Sequence, residues 1–273
     1  MTSTPWIAAP ADEPGAPSAF TVFAAMLRRD VMVARRNWIG ILVSTALQPL
    51  MLTLVFGYLL PHMGFVSDAY KAALIPGVIA MTLMLSSLQS VALPLVIDFG
   101  YSNQIEDRLL APAGARTLVA EKIGFGILQG TIAALLVLPA ARLVMGAVPG
   151  MGLANLAVVV PITLLGAAVF SALGMVLGTA IPPQRVNLFF SALLTPLITF
   201  GCIYYPWTGL AKTPVFQFAV LLNPLVYLAE GLRGALTPAS SHMPIAVTVG
   251  AMALLATGFW LWGQTTFQRR AIG

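Results

Sequence analysis

The sequence predicts an all-α integral membrane protein: six transmembrane helices, an N-terminal interfacial amphipathic helix before them, and a re-entrant outer segment before the last span. Three observations carry this expectation. The first is composition, with 59% hydrophobic and only 8% charged residues in 273 and a mean hydropathy of +0.91. A soluble domain carries about 25% charged residues. The second is a series of apolar stretches of about 20 residues, the length that crosses a bilayer. The third is the clustering of Lys and Arg in alternate connections between those stretches. The pI near 9.7 therefore reads as basic residues at the cytoplasmic ends of spans, and no nucleic acid partner is expected. The single cysteine, Cys202, excludes an internal disulfide and a cysteine-based metal cluster.

The elements follow in order. Residues 1–17 lack a basic start followed by an apolar core, so they read as a disordered cytoplasmic tail and not as a signal peptide. In residues 18–38, Phe20, Phe23, Leu27, Val31, Ala34 and Trp38 recur at alternating three- and four-residue steps, which makes one helical stripe. Ser18 is placed to cap it. Arg28, Arg29, Arg35 and Arg36 lie on the flank and far side, which suits a helix in the membrane interface with arginines near anionic headgroups. A plain basic flank to the first span is the alternative.

The six-span permease domain is expected over residues 39–263. Its first span is Ile39–Leu60. The second, Ala72–Ile97, contains Pro76 and Pro94, which predict a kink or break. The third is Ile123–Val148. The fourth, Leu153–Ile181, carries Gly174 and Gly178 in a small-xxx-small pattern that permits close helix contact. The fifth is Leu188–Tyr204 and the sixth Pro244–Gly263, before a cytoplasmic tail over residues 264–273. Residues 205–243 are too broken for one span and too apolar for a solvated loop. They read as short re-entrant helices, a backbone tolerated at membrane depth only where protein or a water-filled cavity covers it.

With the N-terminus inside, cytoplasmic segments hold Arg28, Arg29, Arg35, Arg36, Arg108, Arg116, Lys122, Arg185, Arg269 and Arg270. The other side holds Lys71, Arg142, Lys212 and Arg233. This asymmetry predicts that both termini are cytoplasmic. It also puts inside a polar island, residues 98–122, that carries Asp98, Glu106, Asp107, Arg108, Arg116, Glu121 and Lys122. Chain reversal between two helices needs roughly 2–8 residues, so an island of this length and pattern is expected to dock a partner.

Chemistry of its own is hard to find. His62 and His242 have no partner spacing for a metal site, and no H-E-x-x-H, C-x-x-C or G-x-S-x-G occurs. None of Lys71, Lys122 and Lys212 follows a glycine, so there is no phosphate-binding P-loop and no nucleotide cofactor is expected on this chain. No span carries a mid-membrane carboxylate of the kind a proton-coupled carrier uses. Asp98 lies at a span end and Glu230 in the re-entrant segment.

This layout resembles the type-2 ABC exporter permeases. The carrying motifs are Glu106-Asp107-Arg108-Leu109-Leu110-Ala111-Pro112 with Glu121-Lys122, then Gly174 to Gly178, and Leu222 to Tyr227 with Arg233-Gly234. The resemblance covers about residues 20–270 and is strongest to permeases that export drugs, glycolipids and lipo-oligosaccharides. It implies a multi-pass subunit of the bacterial inner membrane that pairs with a second copy or a sister permease. It also implies cytoplasmic ATPase subunits that hold the ATP and Mg, with membrane lipids around the chain. Gln104, Ile105, Glu106, Asp107, Arg108, Leu109 and Leu110 correspond to the ATPase-coupling helix. Tyr204, Tyr205, Trp207, Asn223, Pro224, Glu230 and Arg233 correspond to the gate or re-entrant segment.

Two departures stand out. The family's Arg-Glu-x-Gly run before the coupling helix is here Gly100-Tyr101-Ser102-Asn103-Gln104. Its Phe-Leu-Ser-Gly before the outer proline is here Thr199 to Pro206. The function expected is export of an amphipathic lipid, glycolipid or hydrophobic drug. The alternative is a secondary carrier or channel with no ATPase. Three local choices stay open. Glu230 and Arg233, at i, i+3, make a structural ion pair or contact substrate. Asn223-Pro224 is a signature or a plain helix breaker. Tyr204, Tyr205 and Trp207 form an interfacial belt or line an exit.

Overall fold

The computed structural model describes residues 18–65, 68–102, 115–145 and 153–272, and no strand occurs among them. Helix α1 is Ala19–Arg36. The Ser18 side chain accepts from the Thr21 amide at 3.2 Å, so the expected cap is made. Helix α2, Trp38–Leu54, continues through a π-helical stretch, Val55–Leu59, into a single turn at Leu60–His62. Helix α3 is Asp68–Ile97, followed by a π-helical turn at Asp98–Ser102. Helices α4 and α5 are Ala115–Met145 and Leu153–Ala180. Helix α6 is Val186–Thr199, α7 Pro214–Ala219, α8 Pro224–Leu236 and α9 Ile245–Ile272.

The bundle is built around α3. Of the most apolar 18 residues in its membrane-like stretch, Ala73–Gly100, 83% are buried, whereas in Ile245–Arg270 of α9 the share is 11%. The reason is visible in the residues: Leu74 to Leu88 present apolar or small side chains on every face of α3, and all are buried. A helix apolar all round belongs in a core or in lipid. Helices α4, α5 and α8 enclose it. At Gly174 and Gly178 of α5 a Cβ would lie 2.6 Å from the Leu88 carbonyl oxygen and 2.8 Å from the Leu95 Cβ. The small-xxx-small pattern therefore does what its spacing suggests and brings α5 against α3.

The structure differs from the sequence expectation at several places. Among the described residues, four helices are long and apolar enough to cross a membrane, at Ala73–Gly100, Arg116–Leu138, Asn155–Ala180 and Ile245–Arg270. A fifth is added if the bent pair Pro214–Leu222 and Pro224–Leu236 counts as one span. In the expected first span, Pro49–His62 is a shorter apolar helix. The expected fifth span stops at Thr199, giving 14 residues, or about 21 Å at 1.5 Å per residue against a hydrocarbon core of about 30 Å. Past Thr199 the chain turns back, with the Phe200 and Gly201 amides donating to the Pro196 and Ile198 carbonyls, and Cys202 then holds φ at 52°, a left-handed conformation that no helix continues through. Of the kink or break expected at Pro76 and Pro94, no break occurs: helix α3 is continuous past both. The last helix extends through the stretch read as a tail, as far as Ile272.

Candidate functional site

Of the re-entrant residues singled out from the sequence, Glu230, Arg233 and the Trp207 amide meet at one buried centre, and Asn223 with Pro224 makes the corner that leads to it. Helix α8 is preceded by a chain break in direction: Pro214–Leu222 and Pro224–Leu236 meet at 101°. Asn223 makes that corner. Its Oδ1 accepts from the Leu225 amide at 2.9 Å, capping α8, and its Nδ2 donates to the Leu197 carbonyl at 2.8 Å, tying the corner to α6. Pro224 follows as the first helical residue, where a missing N–H costs nothing. The pair is thus a cap and a tether, not a simple breaker.

In the middle of α8, Glu230 and Arg233 are wholly buried and bonded to each other. Each has further partners. Glu230 Oε1 accepts from the Trp207 amide at 2.9 Å, and Oε2 from the Met243 amide at 2.8 Å. Arg233 Nη2 donates to the Cys202 carbonyl at 2.9 Å, and its Nε and Nη2 reach the Ala73 carbonyl of α3 at 3.4 Å. Burying two charges is costly unless mutual attraction and extra hydrogen bonds offset it. Here backbone groups from four segments supply those bonds. Close approach of the turn to α3 is possible because Gly77 faces it, where a Cβ would lie 2.1 Å from the Ile203 carbonyl oxygen. The buried pair thus acts as a latch that ties α8 to α3 and to the turn after α6.

The aromatics surround the latch without entering it. The Trp207 indole donates to the Gln217 carbonyl at 3.0 Å. Tyr204 packs on Phe56 with ring centroids 5.4 Å apart. The Tyr205 hydroxyl lies 3.5 Å from the Thr199 carbonyl. All three are half-buried. The coupling residues Gln104, Ile105, Glu106, Asp107, Arg108, Leu109 and Leu110 lie outside the described residues.

Both flanks of the polar island are held by contacts to residues that carry no role in the sequence expectation: Asp30, Phe99 and Phe267. Downstream, buried Lys122 is bonded to Asp30 of α1 and lies 3.7 Å from Glu121 Oε2. The signal was present: Asp30 is the one acidic residue in an otherwise basic α1. Upstream, Phe99 in the π-turn meets Phe267 edge-on at 5.6 Å, and the Arg270 guanidinium lies 4.8 Å from the centre of its ring.

A cleft of about 470 Å³ separates α3 from α6. Along α6, Asn187, Ser191, Thr195 and Thr199 recur every four residues beside Val186, Phe190, Leu194 and Ile198. Facing them on α3 are Leu85, Gln89 and Leu93. The lining mixes hydroxyl, amide and apolar groups and contains no charged residue. This polar ladder was legible at i, i+4 spacing in the sequence. A second, more apolar cavity of about 300 Å³ lies between α6 and the 216–223 segment.

Residues 21–237 match the model of the ABC-2 type transporter family. The chain belongs to that family. This ABC-2 permease is also similar to the inner membrane transport permease YadH of Escherichia coli strain K12. The two are 28% identical over 243 residues, covering 86% of this chain and 90% of the relative. The same figures hold for YadH of Escherichia coli O157:H7 and of Shigella flexneri. No solved structure matches the chain. Among the described residues, no group of three or more His, Cys, Asp or Glu is placed to hold a metal ion.

Proposed function

We propose that this permease is the membrane-spanning subunit of an ATP-driven exporter in a bacterial inner membrane. Its cargo is an amphipathic molecule (lipid, glycolipid or hydrophobic drug) taken from the cytoplasm or inner leaflet. The observation that carries this reading is an ABC-2 family match over residues 21–237 in a chain with no phosphate-binding loop. ATP and Mg belong on separate ATPase subunits that dock on residues 104–110. The polypeptide crosses six times with both termini cytoplasmic, α2 with its π stretch forming the first crossing and α6 with the turn after it the fifth. Helix α1 lies in the interface, in keeping with the exposure of Arg28, Arg29, Arg35 and Arg36 beside Phe20 and Val31.

The cleft between α3 and α6 supports an amphipathic cargo. Its hydroxyl and amide ladder offers hydrogen bonds to an uncharged polar part, and the adjoining apolar stripe suits an acyl or aromatic part. Helix α6 is mostly exposed, with Leu188 at 68% and Phe189 at 45%, which supports a second permease copy against it. The test is purification. The chain expressed alone should neither bind nor hydrolyse ATP, and hydrolysis should appear only with a co-purified ATPase. Stoichiometric nucleotide binding by the isolated chain would refute the reading.

A further inference from the structure

The last turn of α9 grips the upstream end of the polar island. Arg270 Nη1 donates to the Thr179 carbonyl at 2.5 Å and the Ile181 carbonyl at 3.2 Å. These are carbonyls at the C-terminus of α5, which have no intrahelical partner and favour a cation. The same guanidinium lies over the Phe99 ring at 4.8 Å, within the range of a cation–π contact. Phe267, three residues back on the same face of α9, is fully buried and meets Phe99 edge-on. The Thr179 hydroxyl donates to Thr266 Oγ1 at 2.9 Å. From the other side, Gly100 packs on the turn after α5: a Cβ there would lie 1.9 Å from Pro183 Cγ. The π-turn Asp98–Ser102 is thus held between α9 and the Pro183–Arg185 turn.

We infer that Arg270 is a positioning residue that couples the polar island to the last span, so that displacement of the island by an ATPase moves α9. The inference rests on the exporter reading, but its α9 side, Phe267 and Arg270, lies beyond the family match, which ends at 237. Helix α9 sits at the edge of the bundle, with one face packed along α5 and the rest exposed, so a pull on its inner end acts on a peripheral helix and not on the core. Arginine suits the role because one planar group bonds two carbonyls and stacks on a ring; a lysine ammonium cannot do all three.

The test uses the full permease with its ATPase in proteoliposomes, comparing Arg270→Ala, Arg270→Lys and Phe99→Leu with the parent and with Arg269→Ala. Phe99→Leu keeps an apolar side chain against Phe267 but removes the ring face. Expected is a fall of about fivefold in molecules exported per ATP hydrolysed in Arg270→Ala, an ordinary size for coupling between sites. Phe99→Leu should fall by a similar factor, Arg270→Lys by less and Arg269→Ala not at all. ATPase co-purification and the thermal midpoint should stay at parental values. A second readout needs no ATPase: in a Cys202→Ser background, Ser102→Cys in inside-out vesicles should react with a thiol reagent about fivefold faster when Arg270 is Ala. Unchanged export per ATP in both Arg270→Ala and Phe99→Leu overturns the inference, as does an unchanged labelling rate. If the parent itself shows no ATP-driven export, the exporter reading fails and the coupling role with it. A faster labelling rate would then report only a structural clamp.

Discussion

Glu230 and Arg233 show how much one buried pair can organise. Between them they bond the backbone at Ala73, Cys202, Trp207 and Met243, joining α3, the turn after α6, the Trp207–Lys212 turn and the approach to α9. Removing one member leaves the other charge buried without its partner, at a cost of about 3–5 kcal/mol. Glu230→Gln and Arg233→Met should each lower the thermal midpoint of the detergent-purified permease sharply. The double variant should recover part of the loss and not all, because methionine donates nothing to the Cys202 and Ala73 carbonyls. Recovery is the informative arm: a double variant as unstable as the sum of the singles would show that the two side chains act independently. The i, i+3 spacing of this pair was legible in the sequence. Its four backbone partners were not, since nothing local brings Ala73 to Arg233 across 160 residues.

At the scale of elements, legibility followed how local the signal was. The Ser18 cap and the small-xxx-small pattern of α5 depend on neighbours within one helix, and both appear where the spacing puts them. The early end of α6 is followed by Cys202 in a left-handed φ, which a cysteine gives no reason to expect. The extension of α9 to Ile272 depends on Phe267 and Arg270 finding Phe99, a long-range contact. The polar island belongs to this scale too. A helix over Gln104 to Leu110, ended by Pro112, would offer Ile105, Leu109 and Leu110 to an apolar groove on an ATPase. Each such side chain is worth roughly 1.5–3 kcal/mol when buried. Ile105→Ala with Leu109→Ala should therefore weaken ATPase co-purification more than tenfold, about the factor carried by 1.4 kcal/mol. Glu106→Ala, a rim charge that sets rate and specificity more than affinity, should retain more of the complex and lower transport per ATP. Quantitative pull-down at normal membrane levels of both variants checks this, and full retention by the double variant would contradict it.

For the whole molecule, the arrangement is a buried helix, α3, with peripheral elements attached at its two ends. At one end the Glu230–Arg233 latch fixes the turn after α6 and helix α8 to α3. At the other, Lys122 with Asp30 and Arg270 with Phe99 attach α1 and α9 to the two flanks of the polar island. Between them runs the uncharged cleft against α6. If the drive comes from a separate ATPase, as proposed, its push would reach the spans through these attachments. The decisive measurement is therefore the source of drive. The permease and its ATPase are placed in proteoliposomes, and movement of a fluorescent, uncharged glycolipid across the bilayer is followed. The account predicts movement that begins on adding ATP and Mg, persists when an ionophore collapses the proton gradient, and stops when the ATPase is omitted. Movement driven by an imposed proton gradient in vesicles holding the permease alone would contradict it.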